Sequence, residues 1–152
     1  MKALFIGGIK SGKSKNAEEF SVLHASKKPY YLATTEFIDE EMAKKIDDHK
    51  RQREDRFITV EESLNLSSKV SECDDVVLVE CLSMWINNML YHNKTHEEIF
   101  QEVDNLLSLE SSIVFVLNDV GTGIIPDNKL AREFIDLSGK ISQKLGSKGS
   151  RL

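Results

Sequence analysis

The residues Gly7-Gly8-Ile9-Lys10-Ser11-Gly12-Lys13-Ser14 follow directly on the apolar run Ala3-Leu4-Phe5-Ile6 and complete the pattern G-x-x-x-x-G-K-[ST]. Glycines at 7, 8 and 12 let a backbone turn tightly and aim successive N–H groups at phosphate oxygens, and the dipole of a following helix adds to that attraction. In such a turn Lys13 reaches the β- and γ-phosphates and the Ser14 hydroxyl ligates Mg²⁺. The plainer alternative is a glycine-rich turn that merely joins a strand to a helix. The strand signal before the turn and the amphipathic Ala17, Phe20 and Leu23 after it weigh against that alternative. A nucleoside triphosphate is the ligand class implied.

Other residues could share that chemistry. Val76-Val77-Leu78-Val79 is an apolar strand ending in Glu80, at the carboxyl edge of a parallel sheet where ligands collect. A carboxylate there holds the water shell of Mg²⁺ or a substrate group, unless it is simply a surface acid. Ile113 to Leu117 ends likewise in Asn118-Asp119, before the glycine-bearing loop Val120 to Pro126. That pair reads equally well as ligand contacts or as a capped loop. Of the four histidines, His24 falls at a helix end, and His92 and His96 flank a loop, so solvated or capping roles are expected. His49 differs, because Lys50-Arg51-Gln52-Arg53 follow it and Arg56 lies just beyond. Cations around an imidazole favour its neutral form, which leaves a ring nitrogen free to attack phosphorus while the cations bind phosphates. Spacing alone leaves a helix-surface residue as the alternative.

These residues must be positioned by an alternation of elements. Strand-like runs occur at Ala3 to Ile6, Tyr30 to Ala33, Phe57 to Val60, Val76 to Val79 and Ile113 to Leu117, separated mostly by helical spacing. The pattern predicts a single α/β domain over residues 1–152, with a mainly parallel sheet flanked by helices. Helices are expected at Asn16 to Ser26, Glu40 to Arg53 with Asp39 as cap, Leu82 to Tyr91, His96 to Leu109 and Asn128 to Leu145. Thr95 and Glu98 stand at capping-box spacing. The last helix carries Leu130, Phe134, Leu137 and Ile141 on one side. The second is unusual: Met42, Ile46, His49 and Arg53 form one stripe, which puts a histidine where a core residue ordinarily sits. A helix so polar packs weakly and belongs beside a site or an interface.

Composition narrows the class. A chain of 152 residues with 40% hydrophobic content and a net charge of −5 describes a soluble globular domain without a general nucleic-acid surface. No apolar stretch approaches the roughly 20 residues that span a bilayer. The apolar start is interrupted by glycines before a signal core could form, so the cytoplasm is the expected address. Cys73 and Cys81 lack metal-ligand spacing and read as reduced structural thiols.

Taken together, Gly7-Gly8-x-x-Ser11-Gly12-Lys13-Ser14 with Ala17-Glu18, Tyr31-Leu32-Ala33-Thr34, Asp39-Glu40-Glu41-Met42-Ala43 with Ile46 and His49, Glu80-Cys81-Leu82, and Asn118-Asp119-Val120-Gly121-x-Gly123-Ile124-Ile125-Pro126-x-Asn128-x-Leu130-Ala131-Arg132 closely resemble one family. It is the bifunctional adenosylcobinamide kinase/adenosylcobinamide-phosphate guanylyltransferase family of cobalamin biosynthesis, and the resemblance runs from residue 3 to about 145. It implies two reactions at one P-loop, RecA-like nucleotide site. A triphosphate, ATP or GTP, first phosphorylates the aminopropanol hydroxyl of adenosylcobinamide. GTP then gives GMP to that phosphate through a GMP-histidine at the position matching His49. The resemblance assigns nucleotide contacts to Gly7 through Ser14, Ala33, Thr34, Thr35, Lys50, Arg51, Gln52, Arg53, Glu61 and Glu80, with Mg²⁺ at Ser14 and Glu80. It also implies a homo-oligomer, a trimer, in which the histidine helix leans toward a neighbouring subunit.

Two departures stand out. Asp119 replaces the family's usual Glu, and Gly146 to Leu152 stands where members continue into a further strand. A sheet lacking that strand would lose several kcal/mol of a total near 5–15 kcal/mol. Alternatives are therefore a C-terminally truncated nucleotide binder without activity, or a P-loop kinase of another small alcohol.

Overall fold

The computed structural model describes residues 1–7, 12–36, 40–118, 129–148 and 150–151, with the backbone alone for 42, 49, 118, 129–131, 134, 147, 148, 150 and 151. The elements run β1 (Lys2–Gly7), α1 (Lys13–His24), β2 (Tyr30–Ala33), α2 (Glu40–Arg53), β3 (Ile58–Glu61) and α3 (Leu66–Ser71), then β4 (Val77–Val79), α4 (Leu82–Tyr91), α5 (His96–Ser108), β5 (Ile113–Asn118), α6 (Lys129–Lys148) and β6 (Ser150–Arg151). The strands lie in the order β3-β2-β4-β5-β1-β6, and every described pairing is parallel. This is the α/β architecture expected of the sequence.

A parallel sheet covered on both faces needs strands that are apolar on both sides, and β4 and β5 comply. Leu4, Leu32, Val77, Val79, Ile113, Phe115 and Leu117 bury into one core with α3, α4, α5 and α6. Their alternates Ala3, Phe5, Tyr31, Leu78, Val114 and Val116 bury with Ala17 of α1 and with Phe57. The two helical faces are unequal. Helix α4 sinks Leu82, Trp85, Ile86 and Met89 into the first core, whereas among the described side chains of α2 Arg53 alone is buried.

The helix signals read locally are borne out at α2 and α4, whose bounds match. At α5 the Thr95 hydroxyl accepts from the Glu98 N–H at 3.1 Å and the Glu98 carboxylate accepts from the Thr95 N–H at 3.0 Å. Asp39 lies outside the described residues. Four expectations are corrected. Helix α1 begins at Lys13 rather than Asn16, directly after the left-handed Gly12. Helix α3 went unread; it is only six residues long, and Leu66 and Val70, one turn apart, are its whole apolar content. Helix α6 continues through Gly146 to Lys148: Leu137, Ile141 and Leu145 are buried on one side and carry a glycine that costs about 1 kcal/mol in a helix. Finally, Ser150 and Arg151 form β6 beside Ala3 and Leu4, so the tail supplies a short piece of the sixth strand. Main-chain groups make that pairing along β1, and Gly-Ser-Arg carries no side-chain sign of it.

His92 and His96 are not simply solvated. His92 Nε2 pairs with Glu36, and His96 Nε2 pairs with Glu133 at 2.6 Å. At the amino-terminal edge of the sheet, polar groups are tied up locally. Lys2 Nζ donates to the Leu109 and Ser111 carbonyls, each at 2.6 Å. The Tyr30 hydroxyl donates to Asp74 at 2.8 Å. The Asp75 carboxylate accepts from the N–H groups of Ser26, Lys27 and Val76 at 2.7–3.0 Å. Among the described residues no helix is long and apolar enough to cross a membrane.

Candidate nucleotide site

At the opposite, carboxyl edge the strands open onto a cleft of about 480 Å³. Strand β1 ends at Gly7, in register with Asn118 of β5. Gly12 then caps α1 at φ 79°, ψ 7°. A Cβ at Gly12 would meet nothing within 4 Å, so the left-handed backbone, not lack of room, calls for glycine. The helix that starts there delivers Lys13 and Ser14 to the cleft wall. Lys13 is buried and Ser14 exposed.

Parallel register brings the remaining walls together. Ala33 stands beside Glu61 in the β2–β3 ladder, and Glu80 follows β4, its N–H bonded to the Leu32 carbonyl at 3.2 Å. Ala33, Thr35, Glu61 and Glu80 all line the cleft, and the last turn of α2 closes it with Gln52 and Arg53. Residues assigned from distant parts of the chain thus share one cavity. Thr34, Lys50 and Arg51 do not line it. Thr34 is fully buried, its hydroxyl donating to the Cys81 carbonyl at 3.0 Å. Lys50 and Arg51 are exposed, and Arg51 pairs with Asp47 one turn earlier on α2 at 3.0 Å. Gly8, Ile9, Lys10, Ser11, the side chain of His49 and residues 119–128 lie outside the described residues.

Five lining residues were absent from the expected site, Glu18, Tyr31, Ile46, Cys81 and Val116, while Arg56, named among the cations near His49, also lines it. Glu18 lies one helical turn past Ser14, a spacing that could have signalled it. The others depend on packing. The Arg53 guanidinium lies over the Tyr31 ring, 3.5 Å from its centroid, a cation–π stack strengthened by burial. Arg53 Nε is buried without a hydrogen-bond partner among the described residues. Burial and the neighbouring Glu80 carboxylate push the Tyr31 hydroxyl well above the ordinary phenol range, with Arg53 pulling the other way. Tyr31 therefore stays protonated. Burial, followed by the Glu80 charge, also raises the Cys81 thiol against the N–H groups of Met84 and Ser83 and the Lys13 charge. That keeps Cys81 a thiol, not a thiolate nucleophile. Arg56 and Glu18 form an ion pair across the rim at 3.5 Å. Cations and carboxylates thus line one cavity together.

The family model for cobinamide kinase / cobinamide phosphate guanyltransferase matches residues 3–152. The chain belongs to this family. Relatives include the bifunctional adenosylcobalamin biosynthesis proteins CobU of Escherichia coli K12 and of Salmonella typhimurium LT2. Each is 31% identical over 97% of this chain and 91% of its own length. CobP of Pseudomonas aeruginosa, also named a bifunctional adenosylcobalamin biosynthesis protein, is 30% identical over 100% of this chain and 91% of its own. As a member of the cobinamide kinase / cobinamide phosphate guanyltransferase family the chain is an enzyme of that class, and the cleft is where its charged residues converge.

Proposed function

We propose that this one cleft serves both reactions, phosphorylation of adenosylcobinamide and guanylyl transfer to the phosphate so formed. The observation that carries the reading is the gathering of Lys13, Arg53, Glu61 and Glu80 around one cavity at the carboxyl edge of the sheet. In the first reaction the aminopropanol hydroxyl attacks the γ-phosphorus of ATP or GTP. The bond to the β–γ bridging oxygen breaks, and the hydroxyl proton passes to water. Little covalent work falls to the protein here; Lys13 and the glycine turn position the phosphates and offset their charge. Arg53, whose buried Nε has no acceptor among the described residues, offers a further donor to them.

In the second reaction an imidazole nitrogen of His49 attacks the α-phosphorus of GTP, the bond to the α–β bridging oxygen breaks, and pyrophosphate leaves. A phosphate oxygen of adenosylcobinamide phosphate then attacks the same phosphorus and the P–N bond breaks, which frees the imidazole and forms adenosylcobinamide-GDP. Splitting one transfer into two lowers each barrier. Support comes from α2 itself: position 49 falls three residues after Ile46 and four before Arg53, both lining the cleft, and those are the helical steps of one stripe. The polarity of α2 also suits a helix that meets a neighbouring subunit in a trimer.

Ser14 and Glu80 suit Mg²⁺, because a hydroxyl and a carboxylate are hard oxygen donors and both line the cleft. The ion would neutralise phosphate charge. Glu61, exposed at the end of β3, can accept from nucleoside hydroxyl or amino groups.

The test is incubation with GTP labelled in the α-phosphate. Label that survives denaturation, is released by acid and vanishes in His49→Asn is expected. Folded protein that binds GTP and never takes up label overturns the histidine step.

A further inference from the structure

On the carboxyl side of the sheet, one stripe of α4 holds the connections that carry the cleft residues. Trp85, Asn88 and His92 are spaced by three and four residues, so they share a face. Trp85 Nε1 donates to the Leu64 carbonyl at 2.9 Å. Asn88 Nδ2 donates to two carbonyls, Thr34 at 2.7 Å and Ser63 at 3.1 Å. His92 pairs with Glu36. Each partner belongs to the segment after β2 or the segment after β3, whose neighbours Ala33, Thr35 and Glu61 line the cleft. The Thr34 hydroxyl ties the first segment to the carbonyl of Cys81, the residue that caps α4.

Burial makes these bonds consequential. Trp85 is 0% and Asn88 1% exposed, so loss of the Asn88 donors would leave the Thr34 and Ser63 carbonyls short of a partner where water cannot replace it. The segments would then move to recover hydrogen bonds, carrying Thr35 and Glu61 with them. Helix α4 is the element best able to resist that movement, since Leu82, Trp85, Ile86 and Met89 anchor it in the larger core.

We propose that Asn88, supported by Trp85 and His92, is a positioning residue for nucleotide binding and transfer. It touches no substrate. It fixes two cleft segments relative to each other from beneath, at a point where neither segment has regular structure of its own. This rests on the nucleotide reading of the cleft.

The experiment compares Asn88→Leu, which keeps bulk and helix propensity but removes both donors, with Val103→Ala, a core change on α5 away from the cleft. GTP binding is measured by titration calorimetry and adduct formation by α-labelled GTP, both at a temperature where every variant is folded. Asn88→Leu should weaken GTP binding or slow adduct formation on the order of 10- to 100-fold, the scale of a misplaced reacting group, while Val103→Ala keeps wild-type values. Equal behaviour of the two folded variants overturns the proposal. If Asn88→Leu does not fold, the half-exposed His92 decides. His92→Leu should lose activity and His92→Gln, which retains an N–H donor for Glu36, should restore it; wild-type behaviour of His92→Leu overturns the proposal. Wild-type protein that binds GTP without forming adduct removes the histidine step alone and leaves the binding arm of this comparison standing.

Discussion

The two ends of the sheet use the same kinds of side chain in opposite ways. At the amino edge Lys2, Tyr30, Asp74 and Asp75 spend their charges and hydroxyls on partners within the chain. At the carboxyl edge Arg53 keeps a buried Nε without a partner among the described residues, Arg56 makes a 3.5 Å pair at the rim and lies 5.7 Å from the Phe57 ring centroid, and Glu61 is exposed. A buried donor without an acceptor costs stability, a cost that a ligand accepting from it would recover. One end is built to hold, and the other to receive.

That contrast makes a double dissociation testable. The largest effect is expected from Lys13→Ala: triphosphate affinity should fall by about 1.5–3 kcal/mol, roughly 10- to 100-fold, the loss of a charge-assisted contact. Nucleoside affinity should hold, and equal losses for nucleoside and triphosphate would break the assignment. Arg53→Ala should follow, weakening GTP binding by about 1–2 kcal/mol through loss of the stack on Tyr31 and of the guanidinium donors. Arg53→Lys should recover only part, since an ammonium keeps the charge without the planar face. Chemical denaturation of the same variants should show smaller changes than binding does; the reverse would place Arg53 with the groups of the other end.

Asp75→Asn, the smallest change, should lower unfolding free energy by about 1 kcal/mol and leave GTP affinity untouched. Burial pushes the Asp75 carboxyl upward, but the N–H groups of Lys27, Val76, Ser26 and Lys28 outweigh it and hold the group below its ordinary value. A depressed carboxyl contributes stability that is complete above its unfolded value and is lost as pH falls through the folded one. Melting temperature recorded downward from about pH 4 should therefore fall more steeply in the wild type than in Asp75→Asn. Parallel curves would sink this account.

Legibility in the sequence followed the range of the forces involved. Strand β2 and helices α2 and α4 could be bounded from local patterns, because apolar spacing and turn chemistry act within a few residues. Lys13, Ser14, Ala33, Thr35, Gln52, Arg53, Glu61 and Glu80 were expected at the site and share the cleft. The motif alone indicated Lys13 and Ser14, the strand end indicated Glu80, and the cation run after His49 indicated Arg53; the others came by resemblance. Tyr31 read as an ordinary strand residue, since its role depends on α2 folding back to set Arg53 upon it. His92 and His96 looked solvated because their partners, Glu36 and Glu133, are 56 and 37 residues away. Asn88, in the middle of an apolar helix, carried no local hint of the two carbonyls it bonds.

The pairing of β1 with β5 has a consequence during synthesis. The strand that launches the phosphate turn is made first, yet the neighbour that fixes it begins only at Ile113. A ribosome adding about 5–20 residues each second needs on the order of ten seconds to make that neighbour. Until then β1 lacks that neighbour, so the nascent chain should gain affinity for nucleotide late and abruptly, when β5 docks.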